Sequence, residues 1–135
     1  MAYDAGFSRE FWTPAADPAA GYVTLGTQDL KRAQRFYDEI AHEIGARRSV
    51  ESHDTVAWGL PGFGLAVSAS APLRAIGRTP LQADDPEQVR RLFEIALSNG
   101  GMAEEAPQDH GGGLYAAYFR DPDGNRINAF CVTEH

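Results

Sequence analysis

Polar residues alternate with apolar residues in three segments that have the pattern of β-strands. The first segment contributes Tyr22 and Thr24, the fifth contributes Arg78 and Gln82, and the last contributes Asn128. Because successive side chains on a strand point to opposite faces, these five residues are predicted to share the face turned away from the core. A guanidinium, a phenol and an amide on one surface can bind a carboxylate, a phosphate or a polarised carbonyl. We therefore predict a small-molecule site on this face.

Two aromatic residues complete the predicted ligand-binding set. Trp58 lies in the predicted third strand and Tyr115 lies in the predicted seventh strand. Concave small-molecule sites combine aromatic side chains with a few polar groups in this way. Other interpretations stay open, since the face could be a solvated sheet surface or a dimer contact. Arg78 could also pair with an acidic side chain at the rim.

His110 is the candidate for proton transfer, and together with Arg78 it forms the predicted catalytic pair. It directly precedes Gly111–Gly113, a loop at the mouth of the predicted seventh strand. An imidazole can act as general acid or base near neutral pH, although a solvated loop histidine is the simpler interpretation. Glu104 and Glu105 could present a carboxylate pair, but an exposed acidic edge strand explains them equally well.

Charge and composition restrict the classes of partner. The chain has 135 residues, of which 19 are acidic and 12 are basic, and its net charge is −7. This field repels phosphate backbones and anionic lipid, so neither nucleic acid nor a membrane is an expected partner. The single cysteine, Cys131, can form neither an internal disulfide nor a thiolate zinc cage. With no secretory signal and no long apolar run, we expect a cytoplasmic protein.

The first half of the chain has the order strand, helix and three strands. Residues 29–44 are predicted to be an amphipathic helix with Asp29 as its N-cap and Gly45 as its stop. A strand pattern precedes this helix, and three further strand patterns follow it. The predicted strands are Tyr22–Gly26, about 46–50, about 55–59 and about 63–69.

The same order then repeats. Asp85 is predicted to cap a second helix, with Pro86 in its first turn and Gln88 completing a capping box. The segment 121–125 (Asp-Pro-Asp-Gly-Asn) has the residues of a tight turn between the last two strands. Pro80 is compatible with a strand only at a sheet edge or at an early position in the strand. The predicted strands are Thr79–Ala83, about 102–106, 114–120 and 125–132.

The chain is therefore predicted to be α+β, with two βαβββ modules that form one curled mixed sheet and helices on its outer face. An internal duplication with a period of about 57 residues relates the two modules. The predicted domains are an N-terminal extension, 1–20, and a single domain, 21–135. Within the domain, the modules cover about 21–70 and about 77–133.

Two segments resemble the vicinal oxygen chelate superfamily, which includes glyoxalase I, bleomycin and fosfomycin resistance proteins and extradiol dioxygenases. Leu25–Leu30 and the following 35–38 (Arg-Phe-Tyr-Asp) resemble its opening strand and helix. Tyr115–Asn125 resembles its final hairpin. With the duplication, the resemblance covers about 21–133. It implies the cup-shaped fold and a small-molecule ligand, and it makes a homodimer the expected assembly.

The resemblance also indicates where family metalloenzymes hold a divalent ion, with His and Glu side chains from the first, fourth, fifth and eighth strands. Those positions correspond here to Tyr22, Ala66, Arg78 (or Thr79) and Asn128. A divalent ion prefers imidazole and carboxylate ligands, whereas a guanidinium offers only donors and a fixed positive charge. We therefore expect no metal cofactor, with a divalent ion as the alternative.

The function predicted first is that of a metal-free member of this superfamily that binds or converts a small anionic or carbonyl-bearing molecule. Whether the protein is an enzyme stays open. An enzyme on this scaffold would have a glyoxalase-family lyase or dioxygenase-like activity. The alternatives are a metal-dependent lyase, isomerase or dioxygenase, and a non-catalytic dimeric binding module.

Overall fold

A computed structural model of the protein describes residues 22–60, 63–73 and 78–133. The predicted N-terminal extension, 1–20, lies outside the described residues. Two helices and eight strands follow one another in the predicted order. Their bounds are β1 Tyr22–Gly26, α1 Leu30–Glu43, β2 Arg48–Glu51, β3 Thr55–Leu60, β4 Phe63–Ser68, β5 Thr79–Gln82, α2 Pro86–Ser98, β6 Met102–Gly111, β7 Leu114–Arg120 and β8 Arg126–Val132.

The local signals at both ends of α1 form as predicted. The Asp29 carboxylate accepts a hydrogen bond from the backbone N–H of Arg32 at 3.1 Å and so caps the first turn. Gly45 follows the helix with a φ of +77°, a left-handed conformation that suits glycine and ends the helix. Between these ends, one face of the helix is buried, and it consists of Ala33, Phe36, Tyr37, Ile40 and Ala41.

Helix α2 begins with the predicted capping arrangement. The backbone N–H of Gln88 donates to Asp85 Oδ1 at 2.8 Å, and Gln88 Oε1 accepts in return from the N–H of Asp84 at 2.9 Å. Pro86 occupies the first turn, where its missing N–H costs nothing. Val89, Leu92 and Ala96 are the apolar residues on the buried face of α2.

The predicted α+β fold of two βαβββ modules is confirmed. Hydrogen bonds between described residues join strands within each module, so the strands form two four-stranded mixed sheets. Sheet 1 has the order β1-β4-β3-β2 and sheet 2 has the order β5-β8-β7-β6, with a parallel outer pair in each. Strand β5 stands at an edge of its sheet, as Pro80 predicts.

One hydrophobic core joins the two modules. It contains residues of both helices and of the helix-facing sides of both sheets, and α1 packs against α2. The side of each sheet turned away from its helix is called here its open face. No helix in the described part of the chain is long and apolar enough to cross a membrane.

Polar contacts also connect the first module to the turn between β7 and β8. Tyr37 Oη donates to Asp121 Oδ2 at 2.6 Å, and Asn125 Nδ2 donates to the carbonyl oxygen of Gly26 at 3.0 Å. Burial raises the pKa of the Asp121 carboxyl above its ordinary value, although the hydrogen bonds from Tyr37 and Asn125 oppose this shift. The predicted tight turn therefore also holds the modules together.

Candidate functional site

The register of sheet 2 places polar side chains level with one another on its open face. In β8, Ile127, Ala129 and Cys131 are buried, while the residues between them are only partly buried. The alternation predicted for this strand is therefore observed. Asn128 pairs with Pro80 on one side and with Tyr118 on the other, so these three residues form a row across three strands.

Arg78 directly precedes the edge strand β5 and contacts two other groups on this face. Its Nη1 donates to Glu104 Oε1 at 2.9 Å, and its guanidinium carbon lies 4.6 Å from the centroid of the Tyr118 ring. A guanidinium over an aromatic face gains cation–π attraction and is held flat. The interpretation in which Arg78 pairs with an acidic side chain is therefore realised in the structure. The pair nevertheless lines a cavity and leaves 39% of the Arg78 side chain exposed.

A break in the register of β6 brings two carboxylates to the same cavity. Ala103 pairs with Phe119 and Glu105 pairs with Tyr118, so Glu104 is an extra residue on β6. Such a β-bulge interrupts the alternation of faces and re-aims the side chains beside it. Arg120 and Arg78, which donate to Glu104, lower the pKa of its carboxyl, so it is ionised at neutral pH.

His110 stands at the far end of β6 and also lines the cavity. Its Nε2 lies 3.4 Å from Glu105 Oε2, and its ring meets the edge of the Tyr118 ring with centroids 5.9 Å apart. The cavity has a volume of about 440 Å³ and opens widely to solvent. Its lining residues are Arg78, Glu104, Glu105, His110 and Tyr118.

Asn128 and Gln82 share this open face with Arg78. Gln82 is exposed and pairs with Phe130 in the row next to Asn128. Asn128 is half-buried, and its Oδ1 is shielded from solvent without a hydrogen-bond partner in the described part of the chain. A buried acceptor without a donor is costly, so a donor group of a bound molecule would stabilise it.

Two aromatic residues of the predicted set lie on the helix-facing sides instead. Trp58 is 1% exposed in the core, and its Nε1 donates to Asp38 Oδ1 at 2.9 Å. Tyr115 packs against the core, and its Oη accepts from Arg90 Nη1 at 3.0 Å. The structure does not bring these two side chains to the open face, because the phase of alternation in β3 and β7 turns them toward the helices. Their role in ligand binding stays a prediction. Tyr118, on the other phase of β7, is the tyrosine that the prediction missed.

The remaining two predicted residues lie in sheet 1. Tyr22 begins β1 and pairs with Gly64, and its side chain is not among those described. Thr24 is exposed on the open face of the same strand and pairs with Ala66. The predicted set is thus divided between two sheets. Arg78 and His110 line one cavity beside sheet 2, and Gln82 and Asn128 lie elsewhere on the open face of that sheet.

The donor set at the family's metal positions does not fit a divalent ion. Arg78 contributes a cation already bound to Glu104, Ala66 contributes a methyl group, and Asn128 contributes a neutral amide. A fixed guanidinium repels a second cation by several kcal/mol at about 4 Å in an intermediate dielectric. Within residues 22–60, 63–73 and 78–133, no three His, Cys, Asp or Glu side chains cluster as metal ligands do.

Both modules of the chain match a known protein family. A model of the Glyoxalase/Bleomycin resistance protein/Dioxygenase superfamily matches residues 19–129, which include both modules. The chain belongs to this superfamily. A search of curated proteins finds no significant match.

Solved structures of superfamily members have the same fold. A glyoxalase/bleomycin resistance protein from Albidiferax ferrireducens T118 is 27% identical with a TM-score of 0.75, over 84% of this chain and 98% of that chain. The fosfomycin resistance protein FosX from Mesorhizobium loti is 19% identical with a TM-score of 0.64, over 84% of this chain and 91% of that chain. Superfamily members bind small molecules, which agrees with a cavity of this size.

Proposed function

We propose that this superfamily member is a metal-free protein that binds a small anionic or carbonyl-bearing molecule on the open face of sheet 2. The observation that carries the proposal is the position of Arg78. Its guanidinium, which lies at or next to the position that the family resemblance gives to a metal ligand, is held by Glu104 and by the face of Tyr118 and lines a cavity of about 440 Å³. A planar guanidinium binds oxygen pairs of a carboxylate or phosphate with two parallel hydrogen bonds.

The same cavity contains groups that could convert the bound molecule. The Glu105 carboxylate faces His110 Nε2 at 3.4 Å and would orient the imidazole as a general acid or base. Arg78 would stabilise negative charge that develops on a carbonyl oxygen of the ligand. Proton transfer next to a stabilised oxyanion is the chemistry of a lyase or an isomerase, so an enzymatic activity of this protein would be of one of these two kinds.

The proposal is tested by titrating isotopically labelled protein with pyruvate, a probe with both a carboxylate and a carbonyl. Backbone NMR signals of Tyr118, His110 and Asn128 should shift, and Arg78→Ala should weaken the interaction about ten-fold or more, as expected when a charge-assisted hydrogen bond is lost. The matched control is Arg91→Ala, because Arg91 pairs with Glu43 at 2.7 Å on another surface. Equal affinity in wild type and Arg78→Ala would contradict the proposal.

Elemental analysis tests the absence of a metal. We expect purified protein to contain less than stoichiometric zinc, manganese, nickel or iron, and added divalent ions to leave the signals around Arg78 and Asn128 unchanged. A tightly bound ion that shifts those signals would favour a metal-dependent lyase, isomerase or dioxygenase instead.

We further propose a cytoplasmic homodimer. Thr24 lies on the open face of sheet 1 and Arg78 lies beside the open face of sheet 2. Sheet 1 of a second copy placed over the open face of sheet 2 would bring its Thr24 to the ligand. Sedimentation equilibrium should give twice the mass of the 14.7 kDa chain. A monomer at all concentrations would contradict this assembly.

A further inference from the structure

Three arginines lie level with one another on the open face of sheet 2. Arg120 in β7 pairs directly with Arg126 in β8. Arg78 precedes Thr79, whose partner is Ile127, so Arg78 lies level with Arg126 on the other side. Like charges on directly opposed strand positions destabilise a sheet. Negative charge beside this row would therefore stabilise the sheet.

Glu104 supplies only part of that negative charge. Its carboxylate lies 2.9 Å from Arg78 Nη1, 2.7 Å from Arg120 Nε and 3.7 Å from Arg126 Nε. It is the carboxylate that each of the three guanidiniums contacts within the described residues. Glu104 and Glu105, which both line the cavity, offset two of the three positive charges and leave an excess of one, in a chain whose net charge is −7.

Arg126 is the least satisfied of the three. At 3.7 Å its Nε is too far from Glu104 for a hydrogen bond, and this atom is shielded from solvent without a partner in the described part of the chain. A shielded donor left without an acceptor costs free energy that an added oxyanion would recover. Glu105 is near, but its described contacts are with His110 and Gln108.

Beyond the arginine row, the face becomes less polar. The next row contains Pro80, Asn128 and Tyr118, and the row after it contains Gln82, Phe130 and Ala116. A ligand whose charged group binds the arginines would therefore place its organic part over an amide, a phenol and a phenyl ring. This order suits a small molecule with one charged end.

We infer that Arg78, Arg120 and Arg126 form the binding site for a doubly charged phosphate or phosphonate group of a small organic molecule. The inference rests on the proposed function and narrows its ligand class. The three oxygens of a phosphate or phosphonate group can accept from three guanidiniums at once, and the positive excess of the row attracts a dianion. A single carboxylate has only two oxygens for the three guanidiniums. The chain's overall negative charge still disfavours nucleic acid, because the positive region is confined to one row.

The test compares three ligands with the same ring on the full-length protein at about pH 8, where a phosphate monoester is doubly charged. These probes are phenyl phosphate, phenylphosphonate and benzoate, and calorimetry measures their affinities. We expect phenyl phosphate and phenylphosphonate to bind about ten-fold or more tightly than benzoate. The two dianionic probes distinguish an ester from a phosphonate as the source of the group.

Arg126→Gln and Arg120→Gln should each weaken the binding of phenyl phosphate about ten-fold. The control Arg91→Gln removes an ion-paired surface arginine elsewhere and should leave the affinity within about two-fold. The salt dependence of binding to the wild-type protein is an independent measurement that does not depend on the folding of a variant. Raising the ionic strength from about 0.05 M to about 0.5 M should weaken the binding of phenyl phosphate more steeply than that of benzoate, because the dianion loses more attraction to screening.

The outcomes separate this inference from the proposed function. Equal affinities for benzoate and the dianions, both lost in Arg78→Ala, would overturn the arginine row as a dianion site and leave the proposed function standing. Unchanged phenyl phosphate binding in Arg126→Gln and Arg120→Gln would overturn it as well. If none of the three ligands nor pyruvate binds this face, both the inference and the proposed function are wrong.

Discussion

The two modules have the same order of elements but very different open faces. Strands β3 and β4 of sheet 1 present small residues there, among them Ala57, Ala66 and Ser68, while the described large apolar side chains of these two strands are buried in the core. Sheet 2 presents long charged and aromatic side chains on the corresponding face. They are Arg78, Arg120, Arg126, Tyr118 and Phe130.

This difference indicates that the open faces of a duplicated fold can acquire different functions while the helix-facing sides cannot. On the helix-facing side, both modules must supply buried apolar side chains, since Trp58 in β3 and Phe119 in β7 fill one shared core. The open faces do not pack into a shared core, so their residue types are free to differ. Stability is therefore expected to depend on both modules, and anion binding mainly on sheet 2.

The largest expected effect separates two neighbours in β7. Phe119 is fully buried, whereas the adjacent Tyr118 lies on the open face beside Arg78. Phe119→Ala should lower the free energy of unfolding by about 3–5 kcal/mol, because it leaves a cavity in the core. Urea denaturation followed by circular dichroism measures this loss.

Tyr118→Ala is the matched comparison for that variant. It should cost about 1 kcal/mol or less in stability while weakening ligand binding, because it removes the ring beneath the Arg78 guanidinium. A large loss of stability in Tyr118→Ala, or a small loss in Phe119→Ala, would contradict the assignment of stability to the helix-facing side of sheet 2 and of ligand binding to its open face.

A moderate effect is expected at the contact between the modules. Tyr37→Phe removes the hydrogen bond from Tyr37 Oη to Asp121 Oδ2, which is 2.6 Å long and buried. The free energy of unfolding should fall by about 1–3 kcal/mol, because the shielded carboxylate keeps only its other donors. Chemical denaturation measures the change, and ligand affinity should stay as in wild type. A stability equal to that of wild type would mean that this bond does not couple the modules.

The smallest effect is expected at an arginine of sheet 1. Arg48 pairs with Asp38 at 2.6 Å, and both side chains are about a third exposed. Arg48→Gln should cost less than about 1 kcal/mol at neutral pH, because solvent screens the pair. Ligand affinity should be unchanged, in contrast to variants of the arginine row in sheet 2.

The pH dependence of that small loss has a definite sign. The hydrogen bond from Arg48 lowers the pKa of Asp38 below its ordinary value of 3.8. The contribution of the pair to stability is thus present above pH 3.8 and is lost as the pH falls through the lower, folded-state pKa. The difference between wild type and Arg48→Gln in unfolding free energy should shrink in that acidic range. A difference that grows there would contradict the role of the pair.

The helices and the order of the strands were predictable because their signals are local. Asp29 and Asp85 cap the helices within three residues of their partners, and Gly45 ends α1 through its own backbone conformation. In the first half of β8, Arg126 and Asn128 alternate with apolar residues, so the faces of these two residues followed from the sequence alone.

The faces of two other strands could not be assigned in this way. In β3, Val56, Ala57 and Trp58 are all apolar, so the sequence contains no alternation that reveals the phase. In β7, tyrosines at 115 and 118 occur on opposite phases, and packing of Phe119 against α2 decides that only Tyr118 faces the cavity. The sequence signal for Tyr118 was its position directly before Phe119: a large apolar residue that points to the core places its neighbour in the strand on the open face.

Residue types and local spacing by themselves determined two capped helices and eight strands in a repeated order, and the family resemblance indicated an arginine at or next to a metal-ligand position. Tertiary structure alone decided what surrounds that arginine. The bulge at Glu104 and the register that aligns Arg120 with Arg126 depend on pairing between strands, and neither leaves a period in the sequence. The charge of the site therefore arises from residues that are distant in the chain and adjacent only in the folded sheet.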